Sequence, residues 1–199
     1  RVFPVSGKFT SVQKDIYQIV LEANKKAFGM LKPGIYFRDV HIAAAKVIAE
    51  GLIEAGIMKG NAEDAVNEGV HSLFFPHGLG HMLGLDTHDM SGMGEEHVGY
   101  DKNVQRTEKN GLGRLRFARE LKEGFVITIE PGIYFVPEII RMWKAENKFS
   151  SFINYSKLEK YLKFGGIRIE DDAAITANAS VNLSKVIPKE IKDIEELMA

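Results

Sequence analysis

His77-Gly78-Leu79-Gly80-His81 with a third histidine at His88, Glu130-Pro131-Gly132, and Gly165-Gly166-Ile167-Arg168-Ile169-Glu170-Asp171-Asp172 carry the chemistry of this chain. Imidazoles and carboxylates so far apart in sequence meet only in a fold. His and Glu side chains approached through glycines describe a metal site open to a ligand. The sequence has no cysteine, which removes thiolate zinc sites and cysteine nucleophiles. One His with two Glu is an oxygen-rich donor set, suited to manganese, cobalt or zinc.

The histidine motif is not that of a zincin, which places a Glu beside the first His on a helix. Gly78 and Gly80 disfavour a helix here, so an extended segment is expected, with His77 and His81 on one face and glycines admitting close approach of a ligand. Glu130 ends an apolar run before a strand-breaking proline, and a carboxylate buried there needs a counter-charge or a cation. In Ile167-Arg168-Ile169-Glu170 the two-residue period puts both Ile on one face and Arg168 and Glu170 on the other. Those two alone could be a surface ion pair; the Gly-Gly approach and the acidic run favour a metal face. Asp171 and Asp172 are ligand candidates on spacing, although only one of two adjacent strand residues can share the Glu170 face. His41, on a helix, and His71 and His97 lack such company and read as surface or structural residues.

These residues require a scaffold. Thr10-Ser11-Val12-Gln13 is a capping box, and Val12, Ile16, Ile19, Val20, Ala23, Ala27 and Phe28 follow helical spacing over residues 11 to 28. Asp39 is positioned to cap a second helix running to Gly56, with a shorter one over 61 to 67 and a last one entered by Pro188. Phe125 to Ile129 and Gly132 to Val136 read as strands parted by Pro131, and Phe164 to Thr176 supplies two more. Helices first and strands later make an α+β domain. Residues 87 to 114 lack periodicity and are rich in glycine, a functional loop by its length. Pro137 to Lys160 reads as a surface excursion. Val2 to Phe9 reads as a strand already under way, so the domain is expected to begin upstream of Arg1.

Bulk properties narrow the class. The chain of 199 residues carries 26 Lys and Arg against 27 Asp and Glu, too balanced for a nucleic-acid partner. No apolar run approaches the roughly 20 residues that span a bilayer, and Arg1-Val2-Phe3-Pro4 lacks a signal-peptide layout. No membrane association and a cytoplasmic location are the expectation.

The chain resembles the pita-bread metallopeptidases, in the Xaa-Pro aminopeptidase (aminopeptidase P) and prolidase branch. His-Gly-Leu-Gly-His with the downstream His-Asp, Thr-Ile-Glu-Pro-Gly and Gly-Gly-Ile-Arg-Ile-Glu-Asp-Asp occur in the family's order and spacing. The resemblance implies a pita-bread fold, incomplete here, with residues 1–199 forming the C-terminal part of the catalytic domain. It implies His81, Glu130 and Glu170 as metal ligands, and His77 and His88 as groups that contact substrate and stabilise the tetrahedral intermediate. Arg168 becomes the arginine that holds the acidic cluster, and Arg116 the one that reaches the substrate's carboxylate end. The family's site holds two divalent ions, manganese first, with cobalt and zinc as alternatives. It also uses two aspartates and a histidine from an upstream segment, which this sequence does not contain. Asp171 and Asp172 do not match those positions and drop out as ligands.

The implied reaction is attack of a metal-bridging hydroxide on the carbonyl preceding proline, with Glu130 relaying the proton and His77 and His88 donating to the oxyanion. The implied partner is a peptide with proline at its second position, and a homo-oligomer is compatible with the resemblance. The 87 to 114 segment would wall the pocket, and the isolated chain would be inactive. Two alternatives stand beside this reading: a metal-free pita-bread peptide- or histone-binding module, and a methionine aminopeptidase or creatinase-like hydrolase.

Overall fold

In the computed structural model, which describes residues 1–199, two long helices come first. Helix α1, Ser11–Gly29, starts on the capping box: the Thr10 hydroxyl accepts from the Gln13 amide and the Gln13 side chain accepts from the Thr10 amide. Its apolar stripe, including Ile16, Val20 and Ala27, is buried. Helix α2, Phe37–Glu54, begins two residues before the expected cap, so Asp39 lies in its first turn rather than at its N-cap. There the carboxylate still favours the positive helix end. The α1–α2 approach is close because Gly51 faces Ile19, where a Cβ would sit 2.7 Å from two side-chain carbons.

Helix α3, Ala62–Asn67, is capped by Asn61, and α4, Glu95–Val98, is a single turn inside the glycine-rich segment. Strands β1, Val126–Ile129, and β2, Gly132–Phe135, follow. Helices α5, Pro137–Ala145, and α6, Tyr155–Leu158, precede β3, Gly165–Arg168, β4, Asp171–Ile175, and β5, Ser180–Asn182. Helix α7, Ile191–Leu197, closes the chain; Pro188 precedes it instead of occupying its first turn.

One sheet runs β1-β4-β5 and a smaller one pairs β2 with β3, all antiparallel. Ile129 opposes Asp171 in the first ladder and Gly132 opposes Arg168 in the second. The ladders are therefore two halves of one ribbon, interrupted where Glu130-Pro131 faces Ile169-Glu170. Proline cannot donate to a ladder, and only the Ile169 amide to the Pro131 carbonyl (3.2 Å) crosses the break. Both glutamates sit at this interruption.

Two expectations change. Pro137 to Lys160 is part of the core, since Trp143, Ile153 and Leu158 are buried in the main apolar cluster; its apolar residues lie too irregularly in sequence to announce that. Val2 to Phe9 forms no strand and turns at residues 5 to 8, because a β-type run needs a hydrogen-bonding partner and none lies beside it. The reading of His41, His71 and His97 as surface or structural divides between them: His41 and His71 are structural, both buried with rings 6.1 Å apart, while His97 is exposed.

Candidate metal centre

The histidine motif lies along the free edge of β1. Glu130 donates its amide to the Leu79 carbonyl (2.8 Å), Thr128 to that of His81 (2.9 Å), and Leu83 to that of Val126 (2.9 Å). This contact explains Gly80, where a Cβ would stand 1.9 Å from the Thr128 carbonyl oxygen. The glycine admits the neighbouring backbone rather than a ligand. Gly78 is tight in the same way against Leu115, at 3.0 Å.

That edge brings His81 to Glu130, whose Nε2 and Oε1 are 3.2 Å apart and largely buried. The Nδ1 of His81 donates to the Met82 carbonyl (2.9 Å), which leaves Nε2 as the atom available to a metal. Burial lowers the His81 pKa, but the Glu130 hydrogen bond, the Met82 carbonyl and the charges of Glu130 and Glu170 outweigh it and raise the value. Burial raises the Glu130 pKa, and His81 and Arg168 together overcome it, keeping the carboxyl below its ordinary range. Glu130 is therefore an ionised carboxylate clasped from both sides: Arg168 donates to Oε2 at 2.9 Å.

Two further residues hold this pair. The Thr128 hydroxyl accepts from the His81 amide (3.0 Å) and donates to Glu130 Oε1 (3.1 Å). Tyr134 lies over Gly132 and Gly166 and takes a hydrogen bond from Arg168 Nε at 2.5 Å. Sequence reasoning assigned neither a role. The period of β1 puts Thr128 on the Glu130 face, and the pairing of Tyr134 with Gly166 opens the space that its ring fills.

A pocket of about 210 Å³ is lined by His77, His81, His88, Arg114, Arg116, Glu130 and Arg168 with the glycine backbone. His77 is tucked against Phe75 and Tyr134. Its Nδ1 donates to the Gly78 carbonyl (2.8 Å), its Nε2 has no partner, and burial lowers its pKa, so the neutral ring offers Nε2 as an acceptor. The exposed His88 stacks edge-on to His81 at 4.4 Å. Arg116 reaches the pocket but is paired with Glu95 at 2.6 Å.

Glu170 is the residue that does not close on the pair: no three His, Asp or Glu side chains come together as one metal-holding group. Burial and then the charges of Glu130 and Asp172 raise its pKa. Asp171 faces the other way, fully buried between Arg1 (2.7 Å) and Lys189 (2.5 Å). Beneath the break Asn24 of α1, also buried, donates to the carbonyls of Ile129 (3.2 Å) and Ile169 (3.4 Å), the residues preceding the two glutamates. An imidazole whose Nε2 faces an ionised carboxylate, with a second carboxylate destabilised by the first, is a donor set that fits a divalent cation, which would take the place of the His81 proton.

The sequence matches the model of metallopeptidase family M24 over residues 1–177. It is 38% identical over 197 residues to the human Xaa-Pro dipeptidase, covering 99% of this chain and 38% of that protein. A probable Xaa-Pro aminopeptidase of Botryotinia fuckeliana is 42% identical over 198 residues, covering 99% of this chain and 40% of the relative. Among solved structures, zinc-substituted Escherichia coli aminopeptidase P in complex with product superimposes with a TM-score of 0.75 at 33% identity, covering 100% of this chain and 37% of that one. The mixed helix-and-sheet fold is thus the pita-bread fold of aminopeptidase P in part, and the chain spans about two fifths of the length of the relatives it matches. With that fold, that match and the His81–Glu130 pair at the break of the ribbon, the chain belongs to metallopeptidase family M24.

Proposed function

We propose that the protein carrying this chain hydrolyses the Xaa-Pro bond, at the N-terminus of peptides or in dipeptides, with divalent metal. The observation that carries the reading is the buried His81–Glu130 pair in the pocket, braced by Thr128 and Arg168. His81, Glu130 and Glu170 would hold the metal, with manganese, cobalt or zinc matching the donors. When bound, a divalent cation supplies Lewis acidity and makes water acidic enough to attack an amide at neutral pH.

The chain's own residues account for the rest. Glu130, kept ionised by Arg168 and His81, accepts the proton of the attacking water and returns it to the leaving imide nitrogen. The neutral His77 accepts through Nε2, so it receives a substrate N–H instead of donating to the oxyanion. The exposed His88 is left as the donor to developing negative charge. Arg116 becomes available to a substrate carboxylate once it releases Glu95. Proline has no amide hydrogen and a fixed φ, so the N–H groups open to an acceptor at His77 are those of the residues flanking it.

The test is hydrolysis of Xaa-Pro dipeptides and tripeptides by the complete protein loaded in turn with each of the three metals. Glu130→Gln is expected to lower kcat by roughly a hundredfold or more with the fold intact by circular dichroism. Full activity of that variant, or no Xaa-Pro hydrolysis with any of the metals, would refute the reading.

A further inference from the structure

The pocket does not end at its arginine wall. Arg114 lines both the metal-side pocket and an adjoining cavity of about 440 Å³, whose walls include Arg106, Glu108, Lys109, Ile139 and Trp143. The nearby cations are unequally occupied. Glu95 takes Arg116 on one carboxylate oxygen (2.6 Å) and Arg106 on the other (2.5 Å). No carboxylate stands within ion-pair reach of Arg114 or Lys109, and Glu108 is likewise unpaired. Two free cations face one free carboxylate, so the cavity keeps a net positive charge, with the guanidinium of Arg114 at the junction.

The loop that presents these groups is fixed from behind. The His41 Nε2 donates to the Gly111 carbonyl at 2.8 Å, and a Cβ on Gly111 would stand 2.2 Å from His71 Nε2. The Trp143 ring is held by Lys148 over it at 4.3 Å. A cavity with cations on one wall, an indole and Ile139 on another, and a pinned loop is preformed, which lowers the ordering cost of binding.

We infer that this cavity is a subsite for a carboxylate carried by the residue that follows proline in the substrate, with Arg114 as its anchor. The inference rests on the Xaa-Pro hydrolase reading. Arg114 receives the carboxylate in bidentate fashion, Lys109 adds charge, and Ile139 and Trp143 cover the aliphatic part of the residue. The carboxylate is either an acidic side chain or the chain end of a tripeptide, and the two chemistries are the same to a guanidinium.

The metal-loaded complete protein is assayed with Ala-Pro-Gly, Ala-Pro-Asp-amide and Ala-Pro-Gly-amide, as wild type, Arg114→Ala and Arg114→Lys. The carboxylate peptides are expected to show KM roughly tenfold below that of Ala-Pro-Gly-amide. Arg114→Ala erases the difference with little change in kcat, and Arg114→Lys restores part of it. A preference confined to Ala-Pro-Gly or to Ala-Pro-Asp-amide supports the subsite and identifies which carboxylate it takes. Equal KM for all three in the wild type, or a rise in KM for the amide by the same factor in Arg114→Ala, overturns it. Absence of all hydrolysis overturns the hydrolase reading instead. Binding of Pro-Asp-amide, followed by tryptophan fluorescence with Trp143→Phe as control, then decides the subsite: an Arg114-dependent signal supports it and none overturns it.

Discussion

At the scale of single residues, the site is a set of competing claims on Glu130. His81, Thr128 and Arg168 each take a share of one carboxylate, which keeps it ionised in a buried position where an unpaired charge would be costly. Further from the chemistry, burial lowers the pKa of His41 to about 3 and that of His71 to about 4, against an ordinary 6.5. Well above pH 6.5 neither the folded nor the unfolded chain protonates these rings, and stability is at its full value. As pH falls from there toward 4, the unfolded chain binds protons that the folded chain refuses, and stability drops by about 1.4 kcal/mol per pH unit for each histidine. The urea midpoint is therefore expected to be lower at pH 5 than at pH 7, and His71→Leu should remove roughly half of the drop. A variant with the wild-type pH slope would show that these histidines are not the cause.

At the scale of elements, the two glutamates owe their position to one interruption in a β ribbon. Pro131 forces it, and Asn24 fixes the geometry by donating to the carbonyls of Ile129 and Ile169 while its own oxygen accepts from Lys189 at 2.8 Å. Asn24→Leu strands two buried carbonyls and a lysine, which is expected to cost about 3 kcal/mol, read as a fall in denaturant midpoint. If the complete protein hydrolyses Xaa-Pro bonds as proposed, the same variant should lower its kcat/KM even where it is fully folded, because both glutamates shift; unchanged kinetics would make Asn24 purely structural. Gly80 is the second device: Gly80→Ala must part the histidine segment from β1, since its Cβ would meet the Thr128 carbonyl at 1.9 Å. The capping box of α1, the stripe that buries Ile16 and Val20, and Pro131 as a ladder break were all legible in sequence, because each is set by neighbours within a few residues. Asn24 was not, because its partners lie 105 and 145 residues away.

At the scale of the whole molecule, the chain spans about two fifths of the length of the relatives it matches. One large apolar core includes Trp143, Ile153 and Leu158 together with α1 and α2, and no helix is long and apolar enough to cross a membrane. The chain brings His81 and Glu130 together but closes no group of three metal-binding side chains. As a separate polypeptide the 199-residue chain is expected to bind manganese weakly, because two side chains in contact are fewer than a stable divalent site uses. Titration calorimetry giving two tight sites on this chain alone would contradict that expectation.

The sequence by itself determined the residue types of the site, their order, the α+β class and the family, because a histidine-glycine motif, a Glu-Pro break and an Arg-x-Glu strand are local patterns with few uses. Only the tertiary structure decided which groups meet. It set Thr128 and Tyr134 as braces, turned Asp171 inward to Arg1 and Lys189, tied Arg116 to Glu95 and left Arg114 unpaired between two cavities. Those outcomes depend on strand register and on contacts between residues far apart in the chain, where a difference of one position or one neighbouring charge reassigns a side chain, and no spacing in the sequence encodes them.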